Sequence, residues 1–96
     1  MTLAEQLGNA GAEVGRAVRS HATGDERRLG PALARALDLL DLTLADARWS
    51  APRRREIARA REVVCDFLAG DNIYGSTAAG LEAYFMAYAF AARRGR

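Results

Sequence analysis

Apolar side chains recur three and four residues apart along nearly the whole sequence, in four runs separated by short polar breaks, and nowhere do they alternate as in a strand. That spacing confines the chain to helices. The first run, Leu3, Leu7, Ala10, Val14, Ala17 and Val18, follows Thr2-Leu3-Ala4-Glu5, a capping box in which hydroxyl and carboxylate each satisfy an amide of the first turn. Helix 1 therefore starts at once and ends near His21, whose imidazole suits the negative end of the helix dipole. Gly8, Gly11 and Gly15 form an adjacent stripe, each costing about 1 kcal/mol relative to alanine, so this helix is weak alone. Such a stripe fits either close packing within the bundle or an exchangeable, partner-binding helix.

The polar stretch from Ala22 to Gly30 reads as a connection, and helix 2 is expected from Pro31 to Ala47 with Leu33, Leu37, Leu40 and Leu44 as its core stripe. Helix 3 opens with Ser50 as N-cap and Pro52 in the first turn, where no amide is needed. Its buried face is Ile57, Ala60, Val64, Phe67 and Leu68, and Gly70 is placed as a left-handed C-terminal cap. Helix 4 starts at Ser76 or Thr77 and reaches Arg94. Short connections favour antiparallel neighbours, so residues 1–96 are expected to form one all-α domain, a small up-down bundle of about four helices.

At 96 residues the chain buries roughly 65 per cent of its extended surface, enough to fold without staples. Its single cysteine, Cys65, excludes an internal disulfide and reads as a packed, inert thiol. No secretory leader pattern opens the chain, and the longest uncharged run, Ala83 to Ala92, is short of the roughly 18 residues that a bilayer span needs. A soluble cytoplasmic protein is expected.

All 14 basic residues are arginine, which reads as a coding bias, and 12 acidic residues leave a net charge of only +2. The run "APRRREIARAR" nevertheless places Arg53, Arg54 and Arg55 in the first turn of helix 3, where the dipole disfavours cations by about 0.3 to 1 kcal/mol each. Asp41 and Asp46 are the mirror anomaly at the end of helix 2. A hairpin turning near Arg48 to Ala51 would bring Asp46 to Arg53, Asp41 to Arg55 or Ile57, and Asp38 to Arg59. The alternative for this cluster, extending from Arg53 to Arg61, is weak nucleic-acid or anion binding, with no helix-turn-helix pattern or interleaved aromatic residues to support it.

The carboxylate pairs Asp38 with Asp41 and Glu62 with Asp66 raise the question of a hydrated magnesium ion. The Glu-x-x-Glu and Glu-x-x-Asp spacings used by all-helical nucleotide pyrophosphatases are absent, and Arg59 and Arg61 stand ready to neutralise the acids. No nucleophile-base order, phosphate loop or zinc spacing can be assembled. Neither catalysis nor a metal or other cofactor is expected.

Helix 4 is the most informative segment. Leu81, Tyr84, Phe85, Tyr88 and Ala92 project onto one face, yet the opposite face, Ala83, Met86, Ala87 and Phe90, is also apolar, and a helix apolar all round is buried all round. A bundle of this size has no fully central helix, so the second face is expected to meet another chain, most simply a second copy in a homodimer or else another protein. In the loop "GDNIYGST", Ile73 or Tyr74 is expected to close the end of the core, with Tyr74 extending the surface of helix 4. Free amides at "YGST" offer an alternative anion site. The chain thus reads as a non-catalytic interaction or scaffold module whose partner surface comprises Tyr74, Ala83, Met86, Ala87 and Phe90.

Overall fold

The computed structural model describes the backbone of residues 1–94 and the side chains as far as Ala91. It contains four helices, α1 (Leu3–Thr23), α2 (Glu26–Leu44), α3 (Ala51–Ala69) and α4 (Ala78–Arg94), and no strand among the described residues. They pack as the small up-down all-α bundle that the apolar spacing implies. Ala92, assigned above to the core stripe, lies outside the described side chains.

The capping box forms as the sequence implies: the Glu5 amide donates to Thr2 Oγ1 at 3.0 Å and the Thr2 amide to Glu5 Oε1 at 2.8 Å. At the other end of α1, Gly24 adopts the left-handed conformation (φ 71°) and its amide reaches back to the carbonyls of Ser20 and His21. Leu7, Ala10, Val14, Ala17 and Val18 are buried, and α1 is the axis of the bundle, packed closely against both α2 and α4.

Small residues make those approaches close. On α2 the side chains facing the core are Ala32, Ala36, Leu40 and Thr43, whereas Leu33, Leu37 and Leu44, expected to form the stripe, are only partly buried around it. The Thr43 hydroxyl is buried and donates to the Leu39 carbonyl at 2.8 Å, which removes the cost of an unpaired polar group. On the α4 side, Gly8 lies against Ala89, and a Cβ at Gly11 would stand 2.5 Å from that of Phe85. Gly8 and Gly11 therefore pack inside the bundle, whereas Gly15 meets only the guanidinium of Arg19 on its own helix.

Helix α2 departs from expectation at both ends. It begins at Glu26 with Asp25 as N-cap, accepting from the Arg28 amide, so Pro31 sits in the second turn rather than the first. Gly30 makes this possible, because the steric conflict between a proline ring and the preceding residue in helical conformation involves that residue's Cβ. It ends at Leu44, where Asp46 Oδ1 accepts from the Arg48 amide at 2.9 Å and turns the chain. Gln6 Nε2 also donates to Asp46 at 2.8 Å, clamping the start of α1 to this turn. Trp49 packs against the core nearby, its indole N–H without a hydrogen-bond partner among the described residues.

The hairpin charges also pair differently. Asp46 is taken by Arg48, whose hydrogen bonds hold its carboxyl well below the ordinary carboxylate range, and by Gln6, not by Arg53. Asp41 pairs with Arg61 at 2.7 Å instead of Arg55, so α2 and α3 meet in a register shifted by more than a turn. Ser50 caps α3 as expected, its Oγ accepting from the Arg53 amide at 3.3 Å. Gly70, in contrast, is extended (φ −109°, ψ −156°) and not left-handed, and a Cβ there would lie 3.1 Å from the Asp66 carbonyl oxygen.

Candidate functional site

The loop after α3 is organised by one carboxylate. Asp66 Oδ1 accepts from the Ile73 amide at 2.8 Å and Oδ2 from the Tyr74 amide at 3.0 Å, while its backbone oxygen accepts from Asn72. Asn72, left-handed at φ 53°, exchanges two hydrogen bonds with Ser76, and its carbonyl accepts from the Gly75 amide. Thr77 Oγ1 then caps α4 by accepting from the Gly80 amide at 3.0 Å. The amides from Ile73 to Ser76 are thereby spent within the loop, and they do not form the anion site considered above.

Tyr74 does not extend α4. It lies along α3, its hydroxyl donating to Glu62 at 3.1 Å and its ring 5.0 Å beneath the Arg59 guanidinium, 47 % exposed. Ile73 does not close the core either; it is 85 % exposed. The other four residues of the expected surface do share one exposed face of α4: Ala83 and Ala87 are exposed, and Met86 and Phe90 are each 52 % exposed. Ala79 continues that face one turn earlier.

The opposite face of α4 meets α3 through a polar cluster that sequence reading missed. Glu56 Oε1 accepts from the hydroxyls of Tyr84 and Tyr88, both at 3.1 Å, and Arg53 Nη1 reaches Glu56 at 3.1 Å and the Tyr88 hydroxyl at 3.0 Å. Burial, reinforced by Tyr88 and Glu56, pushes the Tyr84 phenol far above its ordinary range. The i, i+4 spacing of Tyr84 and Tyr88 on α4 was the available signal. Between this cluster and Tyr74 runs a groove of about 460 Å3 floored by Ala60, Val63 and Leu81.

The basic residues of α3 do not act together. Arg53 belongs to the tyrosine cluster, Arg54 donates to the Asp46 carbonyl at 3.1 Å, Arg59 covers Tyr74 and Arg61 holds Asp41, which leaves Arg55 exposed at the side. Among the described residues no group of three or more histidine, cysteine or acidic side chains is placed to hold a metal ion. His21 is exposed and rests on the Phe67 ring at 5.3 Å, and the half-buried Cys65 has Arg61 Nη1 4.0 Å from its sulfur. No family model, curated protein or solved structure matches this chain.

Proposed function

We propose that the chain is a non-catalytic helical interaction module that self-associates as a dimer through α4. The observation that carries this reading is the exposed apolar row Ala79, Ala83, Met86 and Phe90, with Ala87 beside it. Its spacing of four, three and four residues is that of a helix-pairing seam. The size order favours an antiparallel pair of identical helices: with the two α4 segments centred on each other, Phe90 faces the partner's Ala79 and Met86 faces the partner's Ala83, large against small. Such a pairing is self-complementary, as a two-fold dimer requires. A single helix face lies at the small end of stable interfaces, so micromolar affinity is expected.

Light scattering after size exclusion, across micromolar concentrations, tests this. The wild type should be dimeric and Phe90→Asp a folded monomer. Ala83→Met and Met86→Ala should each weaken association, and the double variant, which swaps the large and small positions, should recover it. A wild type monomeric at all these concentrations, or a double variant no better than its parents, would refute the proposal. Anion binding at Arg53, Arg54 and Arg55 draws less support, because two of the three guanidinium groups already serve internal acceptors.

A further inference from the structure

A concavity of about 580 Å3 lies between the second half of α1 and the first half of α2. Its walls are Arg16 and Arg19 on one side and Arg27, Arg28 and Arg35 on the other, over a floor that includes the buried Ala32. We propose that this groove binds a linear oligophosphate, a run of two or three linked phosphate groups.

Charge accounting is the first support. Glu13 is shared by Arg16 at 2.8 Å and Arg35 at 3.1 Å, and Asp25 meets Arg28 at 3.6 Å, whereas Arg19 and Arg27 have no carboxylate within ion-pairing distance among the described residues. Five guanidinium groups against two carboxylates leave a local excess of three positive charges, in a chain whose whole net charge is +2. The guanidinium groups of these pairs are more than half exposed, so they remain open to a further acceptor on their solvent side. Guanidinium forks match phosphate oxygens two at a time, which an ammonium cannot do.

Shape and lining narrow the ligand. The α1 wall from Arg16 to Thr23 is eight residues, about 10 Å of helix from end to end, so the groove accommodates a short chain of phosphates touched from both sides. No aromatic side chain lines it, so the groove lacks the aromatic platform on which single-strand binders stack successive bases. Recognition therefore falls on the phosphates, whether free or carried as the tail of a nucleotide.

Calorimetric titration at low salt with inorganic tripolyphosphate, ATP, sulfate and single-stranded oligothymidylate tests this on the full chain, with circular dichroism confirming that each variant is folded. Tripolyphosphate should bind one per chain, and Arg19→Gln and Arg27→Gln should each weaken it about tenfold or more, the value of a charge-assisted hydrogen bond. Arg55→Gln should leave it unchanged. Equal affinity for ATP and tripolyphosphate supports recognition of the phosphate chain alone, and tighter ATP binding supports a nucleotide as its source. No tripolyphosphate binding, equal binding of sulfate, tighter binding of oligothymidylate, or equal weakening by Arg55→Gln would each overturn the proposal.

Discussion

Alanine at each of the three glycines of α1 should move stability in different directions, although the three substitutions are chemically identical. At Gly11 the new Cβ would lie 2.5 Å from the Phe85 Cβ and 3.2 Å from its Cγ, against about 3.5 to 4.0 Å for carbons in contact. Phe85 is only 2 % exposed and cannot turn aside, so α1 and α4 must separate by about 1 Å along their seam. Overpacking of this kind costs about 1 to 3 kcal/mol, and the gain in helix propensity returns about 1. The net loss, about 1 to 2 kcal/mol where the cost lies in the upper part of that range, lowers the melting temperature by roughly 5 to 15 °C in a domain this small.

At Gly15 the nearest atom is the guanidinium tip of Arg19 at 3.3 Å, which swings away, and at Gly8 the approach to Ala89 is an ordinary contact of 3.5 Å. Both alanines should therefore stabilise by up to about 1 kcal/mol, the propensity difference alone. Thermal and urea unfolding followed by circular dichroism, at one fixed concentration, reads all three. If Gly11→Ala stabilised as much as Gly15→Ala, α4 could not be seated on α1 as described.

Gly30→Ala should destabilise the wild type but stabilise a Pro31→Ala background, because the Cβ conflicts only with the proline ring; a coupling near zero in this double-mutant cycle by urea denaturation would exclude that account. Tyr84→Phe should lower stability at neutral pH by about 0.5 to 1.5 kcal/mol, the value of one hydrogen bond, since Glu56 keeps Tyr88 and Arg53. The Tyr84 phenol is raised in the folded state above its ordinary value of 10.0, so its stabilising contribution is complete below that pH and drains away as the pH rises above it. Unfolding midpoints above pH 10.0 should thus fall less steeply in Tyr84→Phe than in the wild type, and parallel slopes would contradict the burial of that phenol.

Local chemistry was legible in the sequence where neighbours in the chain supply it. Thr2 with Glu5, and Ser50 three residues before Arg53, cap their helices by contacts within one turn, and the apolar stripes of α1 and α3 fall where their spacing places them. Pro31 misled because a proline usually opens a helix; here it sits a turn later, behind a glycine whose missing Cβ eases the conflict with its ring, which hid Arg27 and Arg28 in a supposed loop and with them the basic groove. Gly70 resembled a left-handed cap, but Asp66 captures the next turn through its side chain, a competition between carboxylate and backbone that residue spacing does not encode. The shifted pairing of Asp41 with Arg61 depends on how α2 and α3 lie against α1, and that is decided by the small residues of helices distant in sequence.

The same small residues join the stability of the fold to its proposed association. α4 is held to α1 by a backbone-close seam at Gly8 and Gly11, and to α3 by phenol and guanidinium contacts around Glu56 that are shallow and partly exposed. Its outward row is presented to a partner only while that seam is closed, since Phe85 faces inward from the same turn that carries Met86 outward. Dimer formation must then stabilise the folded chain by mass action, and opening the seam must weaken the dimer. The wild-type melting temperature should therefore rise with protein concentration, and Gly11→Ala should lose association as well as stability although it lies on another helix. Gly15→Ala, which leaves the seam closed, should keep the wild-type association. If association in Gly11→Ala equalled that in Gly15→Ala, presentation of the row on α4 would not depend on the closed seam.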